Sequence, residues 1–204
     1  MFTKTLALLS ALGLATAQSN YPFQSAPFNL VISSSINETL NGRKLGGCHS
    51  GAAVESLCLY DGAAQESFYT FYFNTTSDAA DPDTLQTGLL TWNLPLGDGN
   101  FNEPMSFRYN PASNLAFPFI WPSYDDAQPV AFTTEDLLAV PAYVNDAIEP
   151  PTPYRRGVTF WNNRWVVCQT YWQGYSYTAL QWVLGNQAPQ NPSCDAVTVK
   201  RVFI

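Results

Sequence analysis

Prolines and aromatic residues together leave this chain few ways to fold. Fifteen prolines are spread through its 204 residues, and each removes a backbone donor and clashes with a continuing helix. Between them lie short runs rich in aromatic and β-branched side chains. They are Phe28 to Ser35, Ser67 to Asn74, Leu89 to Leu94, Met105 to Tyr109 and Leu115 to Trp121, then Val130 to Val140, Val158 to Trp161, Arg164 to Tyr171, Tyr177 to Leu184 and Val197 to Phe203. Gly, Pro, Asn and Asp punctuate the gaps, which is the strand-and-turn pattern of a sandwich or barrel. The expectation is an all-β, single compact antiparallel domain, β-sandwich or barrel-like. A β-trefoil is the alternative, suggested only by a loose rhythm of Phe- and Trp-containing runs without a clear repeat. One helical turn is expected within 133–140, where Thr133 or Thr134 can cap it.

The stretch from Val158 to Leu184 reads as a three-stranded meander. Asn162-Asn163 turns the chain after Trp161, and Gln173-Gly174 supplies a second tight turn. Alternation puts Trp165, Val167, Gln169 and Tyr171 on one face, and Leu180, Trp182 and Leu184 on one face of the returning strand. Residues 141–153 form the one linker-like stretch, taken as an exposed loop within the domain. Arg155-Arg156 follows it, a dibasic pair that reads as solvated arginines and alternatively as a processing-protease site.

The N-terminus carries a signal-peptide pattern. Lys4 gives the positive region, Leu6 to Leu14 the apolar region and Ala15-Thr16-Ala17 the cleavage site. The apolar run falls short of the about 20 residues a membrane span needs. Residues 1–17 are therefore expected to be removed, leaving 18–204 as one secreted domain without a lipid or membrane anchor. A chain of that size buries roughly 70% of its unfolded surface. Losing Lys4 takes the net charge from −7 to −8. That surface repels phosphate backbones and has no basic stripe, so nucleic acid is not an expected partner. The carboxylate excess suits an acidic extracellular medium.

Four cysteines remain, an even number in a secreted chain, which argues for two bridges. Three pairings are possible. Cys48–Cys58 and Cys168–Cys194 are favoured because each pair is close in sequence, and each bridge would stabilise by about 3 kcal/mol. The second would pin the meander to the tail. Two sequons, Asn37-Glu38-Thr39 and Asn74-Thr75-Thr76, mark expected glycosylation at Asn37 and Asn74, while Pro192 excludes Asn191.

The chemistry is narrow. His49 is the only histidine. Adjacent Ser50 could hardly reach its ring, and Gly47-Cys48-His49-Ser50-Gly51 is not a nucleophile elbow. With no C-x-x-C and one histidine, no metal site or cofactor is expected. Asp78, Asp81 and Asp83 have the wrong spacing for an EF-hand and read as a turn. No catalytic residue is assigned. A carboxylate pair could still hydrolyse glycosides if two acids lie about 5–10 Å apart, with Asp125-Asp126, Glu135-Asp136 and Glu103 as candidates. The positive hint of binding is aromatic: Trp161, Trp165, Tyr171, Trp172, Tyr175, Tyr177 and Trp182 fall within 22 residues. Trp165 and Trp182 are assigned to the core. Trp172 and Tyr175, at the turn, are the ligand candidates, since such rings stack on sugars.

Several of these segments resemble a family of small secreted fungal proteins of unknown function. They are Trp165 to Cys168, Tyr175-Ser176-Tyr177, Leu180 to Gly185, Pro189 to Cys194, Val199 to Phe203, Phe28 to Val31 and Cys48 to Cys58. The resemblance spans most of the chain after residue 17, its motifs are structural, and it brings no catalytic residues. The chain is also similar to fungal phialide-associated cell wall proteins, which implies a wall or conidial-surface setting. Three functions follow as expectations. The first is a non-enzymatic extracellular or wall-associated glycoprotein whose partner is a cell-wall polysaccharide. The second is a secreted hydrolase using two carboxylates. The third is an effector- or allergen-like protein with a host protein as partner, which needs an apolar patch above a few hundred Å².

Overall fold

The computed structural model describes residues 20–62, 64–76, 85–97, 99–154 and 158–204. The signal segment, Asp78, Asp81, Asp83 and Arg155-Arg156 lie outside the described residues. Alternating apolar residues produce short strands throughout. In chain order these are β1 (Phe23–Gln24), β2 (Phe28–Ser33), β3 (Lys44–Gly51), β4 (Val54–Cys58), β5 (Phe71–Thr75) and β6 (Thr87–Leu96). Next come β7 (Gly99–Tyr109), β8 (Leu115–Ile120), β9 (Pro129–Phe132), β10 (Leu138–Ala142), β11 (Val144–Asn145) and β12 (Thr152–Pro153). The last are β13 (Thr159–Trp161), β14 (Trp165–Trp172), β15 (Tyr175–Val183), β16 (Asp195–Ala196) and β17 (Thr198–Phe203).

Eight of them close an antiparallel barrel in the order β2-β3-β4-β15-β8-β7-β6-β5, with β5 returning to β2 through Phe28 opposite Phe71. The barrel form of the expectation is thus the observed one. The wall has a fork. At one end β4 pairs directly with β8, Glu55 opposite Ile120 and Ser56 opposite Phe119. At the other end β15 inserts between them, Ala179 facing Cys58 and Trp182 facing Ala116. Side chains at period two fill the interior: Phe28, Leu30 and Ile32 from β2, Phe71 and Phe73 from β5, Leu90 and Trp92 from β6, Met105 and Phe107 from β7. Trp165 is fully buried, its Nε1 donating to the Leu138 carbonyl at 2.9 Å and its ring 4.8 Å from that of Trp182.

Both favoured disulfides are present, Cys48–Cys58 and Cys168–Cys194. The β14–β15 hairpin turns at Gln173 and Gly174, with φ of +46° and +96°, the left-handed pair that a two-residue turn requires. Three expectations need correction. The meander is a hairpin, because β13 pairs with β10 and not with β14. The run Val130 to Val140 is two strands, and no helical turn forms between them. Thr133 does cap, its Oγ1 accepting from the Glu135 and Leu137 amides at 3.2 Å each, but Asp136 at φ +63° reverses the chain. Strands β3 and β4 were not expected, since their glycines, serines and cysteines hide the alternation.

Candidate functional site

The outer face of the β8–β15–β14 wall holds an open groove of about 330 Å³. Leu115 and Phe117 of β8, Gln181 of β15 and Thr170 of β14 line it, with Gln169 and Tyr171 at its rim. The turn at Asn110, Ala112 and Ser113 forms one bank, and Gln190 and Asn191 form the other. The banks are tied together. The Asn114 amide donates to Gln190 Oε1 at 3.0 Å, the Gln190 amide returns to Asn114 Oδ1 at 2.9 Å, and Asn114 Nδ2 reaches the Ala188 carbonyl at 2.9 Å. The Cys168–Cys194 bridge and a 3.0 Å bond from Asn191 Nδ2 to the Gln169 carbonyl hold the second bank against β14.

The groove's chemistry is uniform. Among the described residues no acidic or basic side chain lines it. Gln181 is 1% exposed, and its Oε1 has no hydrogen-bond partner among the described residues. A buried acceptor left without a donor carries a desolvation cost, which a ligand hydroxyl would relieve. Tyr171 stands 72% exposed at the rim. Trp172 is half-buried, its ring 4.9 Å from Phe119 and 5.7 Å from Phe117, so it buttresses the floor rather than standing free. Tyr175, also half-buried, lies across the hairpin from Trp172 and sets its ring edge-on to His49 at 5.2 Å.

The inner face of the same wall holds a pair of acids. Glu55 of β4 is 3% exposed and Glu103 of β7 is 0% exposed. Glu55 lies in phase with Leu57 and Leu59, and Glu103 in phase with Met105 and Phe107, all core residues. Glu55 lies opposite Ile120 of β8, and Glu103 lies two residues along β7 from Met105, which is opposite the same Ile120 on its other side, so the two acids flank one end of β8. Glu55 Oε2 and both Glu103 oxygens have no hydrogen-bond partner among the described residues. Burial and the Glu103 charge push Glu55 up from 4.5 to about 8. Burial also raises Glu103. Tyr124, raised by burial and by the Glu103 charge, donates to the Asn102 carbonyl at 3.2 Å and to its Oδ1 at 3.0 Å.

The other acids considered lie at the surface. Asp125 is exposed, and Asp126 pairs with Arg108 at 3.4 Å. Glu135 is held below the usual range by its bond to Thr133. Asp136 accepts from Arg201 at 2.6 Å, and Arg201 also stacks 4.3 Å over Phe132. His49 is exposed, and Ser50 is buried with its Oγ bonded to Ser56 and the Cys48 carbonyl, so the two form no nucleophile and base. Among the described residues no group of three or more metal-ligating side chains occurs. The two sequons differ. Asn37 is half-exposed, its Nδ2 donating to Asp195 at 2.7 Å. Asn74 is 6% exposed, its Nδ2 donating to Asn102 at 3.0 Å.

The profile of a family described as a domain of unknown function (DUF7907) matches residues 25–203. The chain belongs to that family. The matched span takes in the closed barrel, both disulfides, the groove and the acid pair of this chain. No curated protein and no solved structure matches the chain.

Proposed function

We propose that this DUF7907 protein is a secreted, non-enzymatic glycoprotein of fungal type, working outside the cell or in its wall, whose groove binds a neutral glycan. The observation that carries this reading is the groove's composition: amides and hydroxyls without charge, an apolar floor, an exposed tyrosine and one buried acceptor lacking a donor. Sugars present hydroxyls to amide groups and apolar ring faces to aromatics. Neutral wall polymers such as β-glucan or chitin fit this pattern, while acidic polysaccharides would find no counter-charge in the groove.

The carboxylate-pair hydrolase reading is weaker. A glycosidase needs an acid that reaches the scissile oxygen and a second that reaches the anomeric carbon or a water. Glu55 and Glu103 are sealed from solvent, so neither reaches a substrate in the groove. The test is retention on insoluble chitin and β-glucan. The wild-type chain should be retarded on at least one of them, and Tyr171→Ala and Gln181→Leu should elute earlier. Equal washout of all three from every neutral polymer overturns the proposal.

A further inference from the structure

We propose that Glu55 and Glu103 form a proton lock, a pair of carboxyl groups that must share at least one proton for the barrel wall to stay packed, so that the intact fold belongs to an acidic medium. The pair lies inside the barrel and apart from the groove, so the lock stands independently of the glycan reading. Glu55 lies opposite Ile120 of β8 and His49 of β3, and Glu103 lies opposite Trp92 of β6. The titratable groups on the elements packed against the pair are His49, whose exposed ring turns away to Tyr175, and the Tyr124 phenol, which feels the Glu103 charge. The four ion pairs of the described residues, Arg43–Asp61, Lys44–Glu66, Arg108–Asp126 and Arg201–Asp136, all lie elsewhere. Two buried carboxylates flanking one strand end, without a cation, cannot both stay ionised away from water. A shared proton turns the repulsion into a hydrogen bond.

Calcium is the rival occupant. It takes about 6–8 oxygen ligands, whereas two glutamates supply at most four, and neither side chain opens to the water that would complete the shell. A proton asks only for two facing oxygens. The sign of the linkage is definite. A carboxyl raised in the folded state contributes stability that is whole below the unfolded value near 4.5 and is lost as pH climbs through the folded value.

Melting temperature should fall by at least about 6 °C between pH 4.5 and pH 8.5. Glu103→Gln, which keeps a hydrogen bond but needs no shared proton, should flatten that fall. Asp125→Asn, on the surface, should retain it. An infrared band of a protonated carboxyl should persist at pH 6.5 in the wild type and titrate away at a lower pH in Glu103→Gln, where burial alone still raises Glu55. If that variant does not fold, the wild type still decides, because unfolding at pH 6.5 should release roughly one proton. A Glu103→Gln profile as steep as wild type, no proton released, or calcium restoring the melting temperature at pH 8.5 where magnesium does not, would each overturn the lock.

Discussion

The two faces of one barrel wall handle polarity in opposite ways. Outside, Gln181 and its neighbours offer neutral amides to an open groove. Inside, two acids are shut away with three oxygens unpartnered. A neutral amide can stay buried and unsatisfied at a cost of about 1–3 kcal/mol. A carboxylate in an apolar interior cannot, so it gives up its charge instead. Polarity at the surface of this wall thus points to recognition, and polarity in its depth points to the medium in which the fold survives.

The largest effect should come from cutting the outer region loose. In Cys168→Ser/Cys194→Ser the bank carrying Gln190 and Asn191 loses its covalent tie to β14. We expect a loss of about 2–5 kcal/mol in urea denaturation, with glycan retention lost alongside. A variant that keeps full retention would show that the bank has no part in the groove.

The inner region gives the next effect, and it depends on pH. Glu103→Leu removes one acid and fills its place with an apolar side chain. At pH 8 it should gain at least about 1.4 kcal/mol over its effect at pH 4.5, the worth of one pKa unit. Denaturation curves at the two pH values check this, and an equal effect at both would break the contrast between the faces.

Much of this contrast is written in strand phase. Glu103 shares its alternation with Met105 and Phe107, and Glu55 with Leu57 and Leu59. An acid in register with an apolar face is a buried acid, so both were legible in principle. Glu103 stood among the carboxylate candidates, while Glu55 was hidden because Gly46, Gly47, Ser50 and Ser56 obscure β3 and β4 as strands. Their meeting was not legible at all. They lie on strands that flank β8, and only the β4–β8 and β7–β8 pairings bring them together. The disulfides were legible because near neighbours in sequence close the least costly loops. The groove was half legible. The aromatic crowding pointed to the right hairpin, but the phase of Trp172 turns it onto Phe117 and Phe119 and leaves Tyr171 exposed.

Gln181→Leu should separate recognition from stability. Its Oε1 has no partner to lose, so an apolar replacement of similar size should leave stability within about 1 kcal/mol. Retention on the neutral polymer should drop several-fold. A loss of stability well beyond that range would mean that the amide serves the fold and not a ligand.

The smallest stability effect belongs to Tyr171. It is 72% exposed and forms the pair opposite Ser176 next to the hairpin turn. Truncating so exposed a side chain should change stability by no more than about 0.5 kcal/mol. Stacking against a sugar ring would draw on that same exposed face, so Tyr171→Ala should weaken retention while the unfolding curve hardly moves. Tyr171→Phe keeps the ring and drops only the hydroxyl, and it should retain most of the binding if stacking is the contact. Retention that follows the hydroxyl rather than the ring would keep the groove but assign the rim a hydrogen-bonding role. Retention indifferent to both variants would remove Tyr171 from the site and leave the amides of the floor to hold the ligand alone.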